Sequence, residues 1–201
     1  MNKGRLETFS DGVIAIIITI MVLNLTIPRG SDLGALRGMA PGFLTYLVSF
    51  VYLGTYWNNH HHLLLVTERV SGGILWANLH LLFWLSLIPV ATAWIAATDF
   101  AHIPTAVYAT VLLFAAVAYY VLQTAITRLH GPDSRLARAL RRDYKGKLSL
   151  FCYVIAIPLA FVGYGISEGL IVLVALIWLI PDRRIEAVLE EGEDTGKESN
   201  A

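Results

Sequence analysis

The chain has 201 residues, 56% of them apolar and only 15% charged, with 15 Lys and Arg balanced by 15 Asp and Glu. A soluble domain carries about 25% charged residues, so this composition excludes one, and the alternating rhythm of an outer-membrane barrel is absent as well. The zero net charge says little, because in a membrane chain the distribution of charge matters more than its sum, and a single cysteine, Cys152, excludes an intrachain disulfide.

Crossing about 30 Å of hydrocarbon takes about 20 residues of helix. The first predicted span covers residues 6–27 and is closed by Pro28. Its basic start and apolar run resemble a signal peptide, but no small-residue cleavage site follows, so it reads as a retained span. The second predicted span covers residues 41–66 and the third 74–97. Pro104 opens the fourth, residues 104–128. The fifth, 148–164, and the sixth, 170–180, are short. The expectation is an all-α polytopic membrane protein with one six-helix transmembrane domain over residues 1–183. An acidic, disordered cytoplasmic tail is expected over 184–201.

Six spans put both termini on one side. That side then holds all of the 15 Lys and Arg except Arg29 and Arg37. The positive-inside rule places it in the cytoplasm. Five or seven spans would scramble this asymmetry.

The stretch Val162-Gly163-Tyr164-Gly165 resembles the carbonyl-lined filter of many potassium channels. Such a filter follows a re-entrant pore helix that starts and ends outside. Here the preceding segment follows the most basic loop of the chain, so it has to cross the membrane. No threonine precedes the four residues and no acidic residue directly follows them. They read as a Gly-rich turn between the fifth and sixth helices.

The first span is more informative. On a helical wheel Gly12, Ile16, Thr19, Leu23 and Ile27 fall within an arc of about 80°. Every neighbouring position is apolar too, so periodicity alone does not decide which face meets lipid. Thr19 is the one mid-span polar residue on this stripe, and its hydroxyl has a ready local partner in the carbonyl one turn back. Asp11 lies about 100° around the wheel and needs a partner of its own. Arg5 faces elsewhere, so partners are expected from other spans. Candidates are the group Trp57 to His62 and Asn78, which the topology puts in the same cytoplasmic half. Together they suggest a buried hydrogen-bonded cluster joining the first three helices, since each group left unpaired would cost several kcal/mol.

These residues carry a resemblance. Arg5, Phe9, Ser10 and Asp11 form R-x-x-x-F-S-D; Trp57 and His60 follow at a spacing of three, then Glu68-Arg69-Val70, Asn78, Ser86 and Pro89. The pattern is similar to the transmembrane protein 175 family of potassium channels of endolysosomes and prokaryotes. It covers the first three spans; the last three match only in number and length. The animal members are similar to two such units in one chain, whereas this chain has one R-x-x-x-F-S-D. The resemblance therefore implies a prokaryotic member in the plasma membrane, a homotetramer with the first helix lining a central pore. It implies a constriction at Ile16, Thr19 and Leu23 in place of a carbonyl filter. It also implies a structural polar network of Arg5, Phe9, Ser10, Asp11, Trp57, His60 and Asn78. The implied cargo is K+, near Ile16, Thr19 and Leu23, with other monovalent cations or protons as further candidates. No cofactor, resident metal or nucleic-acid partner is expected. Phe9 fits least well, because it also falls near the apolar stripe.

Four copies of Ile16 and Leu23 would form two apolar rings about 10 Å apart, which block ions by dewetting when tight. Partial dehydration favours K+ over Na+, and a ring of Thr19 hydroxyls could replace some lost water. Rival readings remain. A metal-dependent hydrolase would use His60, His61, His62 and His80, but three consecutive histidines splay over about 200° of a helix, and no H-E-x-x-H motif occurs. An ion-coupled transporter would show internal repeats and broken midplane helices; helices one to three do not resemble four to six, and no Gly/Pro break interrupts the middle of the first span. A proton-conducting channel is a nearer alternative, although the first span has no acidic residue at its middle. A scaffolding protein needs no pore at all. In every case the basic segment 128–147 can meet anionic lipid.

Overall fold

Three of the helices begin on a polar side chain that accepts a free backbone N–H of the first turn. Asn2 accepts from Gly4 N at 3.0 Å, Asp32 from Ala35 N at 2.8 Å, and Ser71 from Ile74 N at 3.3 Å. The structure, a computed structural model, describes residues 2–28, 30–131 and 144–180. Among the described residues it consists of α1 (Lys3–Leu23), α2 (Leu33–Leu65), α3 (Gly72–Ser86), α4 (Ile88–Ala97), α5 (His102–His130), α6 (Tyr144–Val162) and α7 (Tyr164–Leu179). Helices α3 and α4 share one membrane-length run, Gly72–Ala97; it, α1, α2, α5 and α6 are each long and apolar enough to cross a membrane. Helix α7 is a sixth, shorter apolar helix.

The boundaries depart from expectation at informative places. Helix α1 stops at Leu23, not residue 27, because Asn24 and Leu25 donate to Met21 and Val22 in tight three-residue turns. Ile27 therefore leaves the helical stripe. Helix α2 starts at Leu33 on its Asp32 cap, eight residues before Pro41, which sits inside it. Pro41 lacks only its own N–H, and Thr45 Oγ1 donates to the Pro41 carbonyl at 3.0 Å. The third span is broken at Leu87. Pro89 cannot donate to Leu85, so Leu87 closes the turn by donating to Trp84 instead, and α4 restarts at Ile88. The expected turn at 162–165 shrinks to Gly163; Tyr164 and Gly165 already belong to α7. The acidic segment 184–201 lies outside the described residues.

Hydrogen bonds gather the helix ends into two sets. At one end Lys3 Nζ donates to Leu65 O at 2.9 Å, tying the start of α1 to the end of α2. There too Glu68 N donates to His130 Nε2 at 3.1 Å, and Lys145 Nζ to Ile180 O at 2.9 Å. At the opposite end His102 Nδ1 donates to Ala160 O at 2.6 Å, and Thr105 Oγ1 to Glu168 at 3.3 Å. The helices thus alternate in direction.

The core lies along α5. Its Ala109, Ala115 and Ala118 and the Ala156 and Ala160 of α6 are fully buried, and these two helices pack closely. Small side chains permit that approach where no water-driven force joins apolar helices. Helix α1 sits at the edge, packed on α2, α3 and α4.

Candidate functional site

Helix α1 buries one face and leaves the other open. Leu6, Ser10, Ile14, Ile17 and Met21 are its buried residues, and they centre about 150° from the stripe of Gly12, Ile16, Thr19 and Leu23. Ile16 is 60% exposed and Leu23 77%. The stripe thus meets nothing in its own subunit. Thr19 Oγ1 donates to Ala15 O at 2.8 Å, which spends the hydroxyl proton and leaves the oxygen lone pairs on the open side. Such a group presents negative charge density outward and suits a cation rather than an anion.

The buried face ends in a directed chain of polar groups. Asn78 Nδ2 donates to Ser10 Oγ at 2.9 Å, and Ser10 Oγ donates to Leu6 O at 2.8 Å. That leaves Asn78 Oδ1 to accept from His60 Nε2 at 2.7 Å, so His60 carries its proton on Nε2. All three side chains are fully buried. Nδ1 of His60 is buried without a partner among the described residues. The chain joins α2, α3 and α1 in that order.

A second group lies beside it, between α1 and α2. Trp57 Nε1 donates to Asp11 Oδ1 at 3.0 Å, giving the carboxylate its partner from α2. His61 stacks on Trp57, with ring centroids 6.0 Å apart and planes 17° from parallel, and its Nδ1 is 3.3 Å from Glu7. Asp11 and Glu7 are one turn apart on α1, so two successive turns of that helix are pinned to α2.

Arg5 and Phe9 stand apart from both groups. Arg5 lies about 120° around the helix from Asp11, is exposed, and has no side-chain hydrogen bond among the described residues. Phe9 is 52% exposed. Both fall on the open face with Gly12 and Ile16, so neither belongs to the network within its own subunit.

Two features escaped the sequence reading. Glu7 pairs with His61, a link that its spacing of four from Asp11 could have flagged. A mid-bundle chain runs from Tyr108 through Ser49 and Thr92, at 2.7 Å for each step, and Thr92 Oγ1 donates on to Ile88 O at 2.7 Å. Its members come from three helices and share no sequence signal. No group of three or more His, Cys, Asp or Glu side chains is placed to hold a metal among the described residues.

Comparison with known proteins bears on this geometry. A family profile described as the endosomal/lysosomal potassium channel TMEM175 matches residues 5–89, which contain every residue of both α1-anchored groups. A potassium channel of Chryseobacterium sp. is 53% identical over 95% of this chain and 100% of its own length. The chain belongs to the TMEM175 family. A Streptomyces collinus potassium channel is 33% identical over 89% of this chain and 92% of its own. The crystal structure of a lysosomal potassium-selective channel TMEM175 homologue from Chamaesiphon minutus superposes with a TM-score of 0.78 at 26% identity, covering 89% of this chain and 96% of that one. The chicken TMEM175, described as an endosomal/lysosomal proton channel, is 39% identical over 35% of this chain but only 17% of its own length. The relatives are channels and not enzymes. This TMEM175 member is a multi-helix membrane protein of a potassium-channel family, and the histidine-rich turn of α2 is used for side-chain hydrogen bonding and stacking.

Proposed function

We propose that this protein is a potassium-selective cation channel of the bacterial plasma membrane, built from four copies of the six-helix unit that ends near residue 183. Both termini lie in the cytoplasm and the four α1 helices surround the axis. The observation that carries this reading is the face of α1 that its own subunit leaves open, with Ile16, Thr19 and Leu23 on it. In a membrane such a face meets lipid, a neighbouring copy or water. The relatives named as potassium channels favour water.

The mechanism follows from the chemistry of the stripe. Rings of Ile16 and Leu23, about 10 Å apart, hold water poorly and close the path when narrow. Slight widening lets a partly dehydrated cation through, and K+ sheds water more readily than Na+. Thr19 oxygens, their protons spent on Ala15, supply lone pairs between the rings. The polar groups on the opposite side fix the angle of α1 against α2 and α3. Arg5 and Phe9, on the open face, pack toward the neighbouring copy.

Reconstitution in liposomes tests this, with K+, Na+ and H+ flux measured separately. The expected result is K+ flux exceeding Na+ flux, and a weaker preference in Thr19→Val. Flux unchanged in Ile16→Ala, Thr19→Val and Leu23→Ala together would remove α1 from the path. Proton conduction is a second reading, favoured by the animal relatives named as proton channels. It predicts H+ flux that persists when K+ flux is blocked.

A further inference from the structure

A cavity of about 220 Å³ lies within one subunit, away from the α1 face, between α2, α5, α6 and α7. It exceeds the ~150 Å³ known to hold a benzene molecule. Its wall is aromatic: Tyr52 and Tyr56 from α2, Tyr119 from α5, Tyr153 from α6 and Trp178 from α7.

The polar atoms of this wall are partly spent. Trp178 Nε1 donates to Ser149 Oγ at 2.8 Å, and Ser149 donates in turn to Lys145 O at 2.8 Å. Tyr119 donates to Asn59 O at 3.1 Å, and Tyr52 to Ile171 O. These bonds fix the rings in place. Gln123, with Thr55, Tyr56 and Asn59, is among the wall residues whose side chains are left over. It is 8% exposed and lines the cavity, yet its side-chain amide has no partner among the described residues. Its amide therefore keeps both a donor and an acceptor for whatever enters the cavity. At the rim Lys147 is exposed, with no acidic partner among the described residues.

We propose that this cavity is a binding site for a small planar aromatic acid. The ring stacks among the tyrosines and Trp178, a ring substituent bonds the Gln123 amide, and the carboxylate or sulfonate meets Lys147. This site is independent of the pore reading, since no residue of α1 lines it.

The test uses the full-length protein in zwitterionic nanodiscs and 5-fluoroindole-3-acetate as probe, followed by fluorine NMR against empty nanodiscs. Saturable broadening beyond the empty-nanodisc signal is expected. Gln123→Leu, close in shape, should weaken it by about tenfold, and Ala116→Phe, which fills the cavity, should abolish it. Lys147→Gln should weaken the acid severalfold and leave uncharged 5-fluoroindole unchanged. A signal equal to empty nanodiscs overturns the proposal, as does saturable binding indifferent to both Gln123→Leu and Ala116→Phe. If Ala116→Phe does not fold, Gln123→Leu decides. Equal loss of both probes in Lys147→Gln would overturn the assignment of an acid.

Discussion

His60, Asn78 and Ser10 form a chain in which every proton has one acceptor, so the loss of one member strands the next. Asn78→Leu leaves the His60 N–H buried and unpaired, and should destabilise the subunit by about 1–3 kcal/mol; thermal unfolding of the purified protein measures this. Ser10→Ala should add much less on the Asn78→Leu background than alone, because the two share one bond. At Thr19, Val keeps the branched shape and removes the oxygen. Thr19→Val should lower the K+/Na+ flux ratio by about threefold while leaving thermal stability unchanged, since the lost bond to Ala15 is local. Much at this scale was legible in the sequence: Asp11 needed a partner from another span, and Trp57 stands 3.0 Å away. Gln123 was not legible. A glutamine in an apolar run says nothing of whether the space beside it is filled.

Among the elements, the first three spans could be placed from their polar punctuation, and the errors came from proline. Pro41 read as a helix start, but the stronger signal was Asp32, whose carboxylate accepts from Ala35 N. Asp32→Ala should cost about 1 kcal/mol of local stability, visible as faster amide exchange at residues 33–36 with the rest of α2 unchanged. Pro89 breaks the third span where a single helix was expected. Pro89→Ala restores a donor to Leu85 and should slow amide exchange at residues 86–90 by joining α3 to α4. Proline marks both helix starts and interior breaks, and only the tertiary neighbours decide between them.

For the whole molecule, the number of apolar helices was legible because bilayer thickness constrains their length directly. What lies against the open face of α1 was not, because lipid, a second copy and a narrow wet axis all accept Ile and Leu. Cysteine labelling separates them. In a Cys152→Ser background, Leu23→Cys should react with a water-soluble methanethiosulfonate reagent and block flux. Oxidation should link neighbouring copies, and native mass spectrometry should give a complex of four 22.2 kDa chains. Leu173→Cys, on the exposed side of α7, should do neither. The two buried polar chains carry one more consequence. Each runs in a single donor direction and ends on a main-chain carbonyl, at Leu6 or at Ile88. A carbonyl oxygen cannot accept a proton and release it onward, so neither file is a Grotthuss wire. Neither file therefore relays hydronium through the subunit.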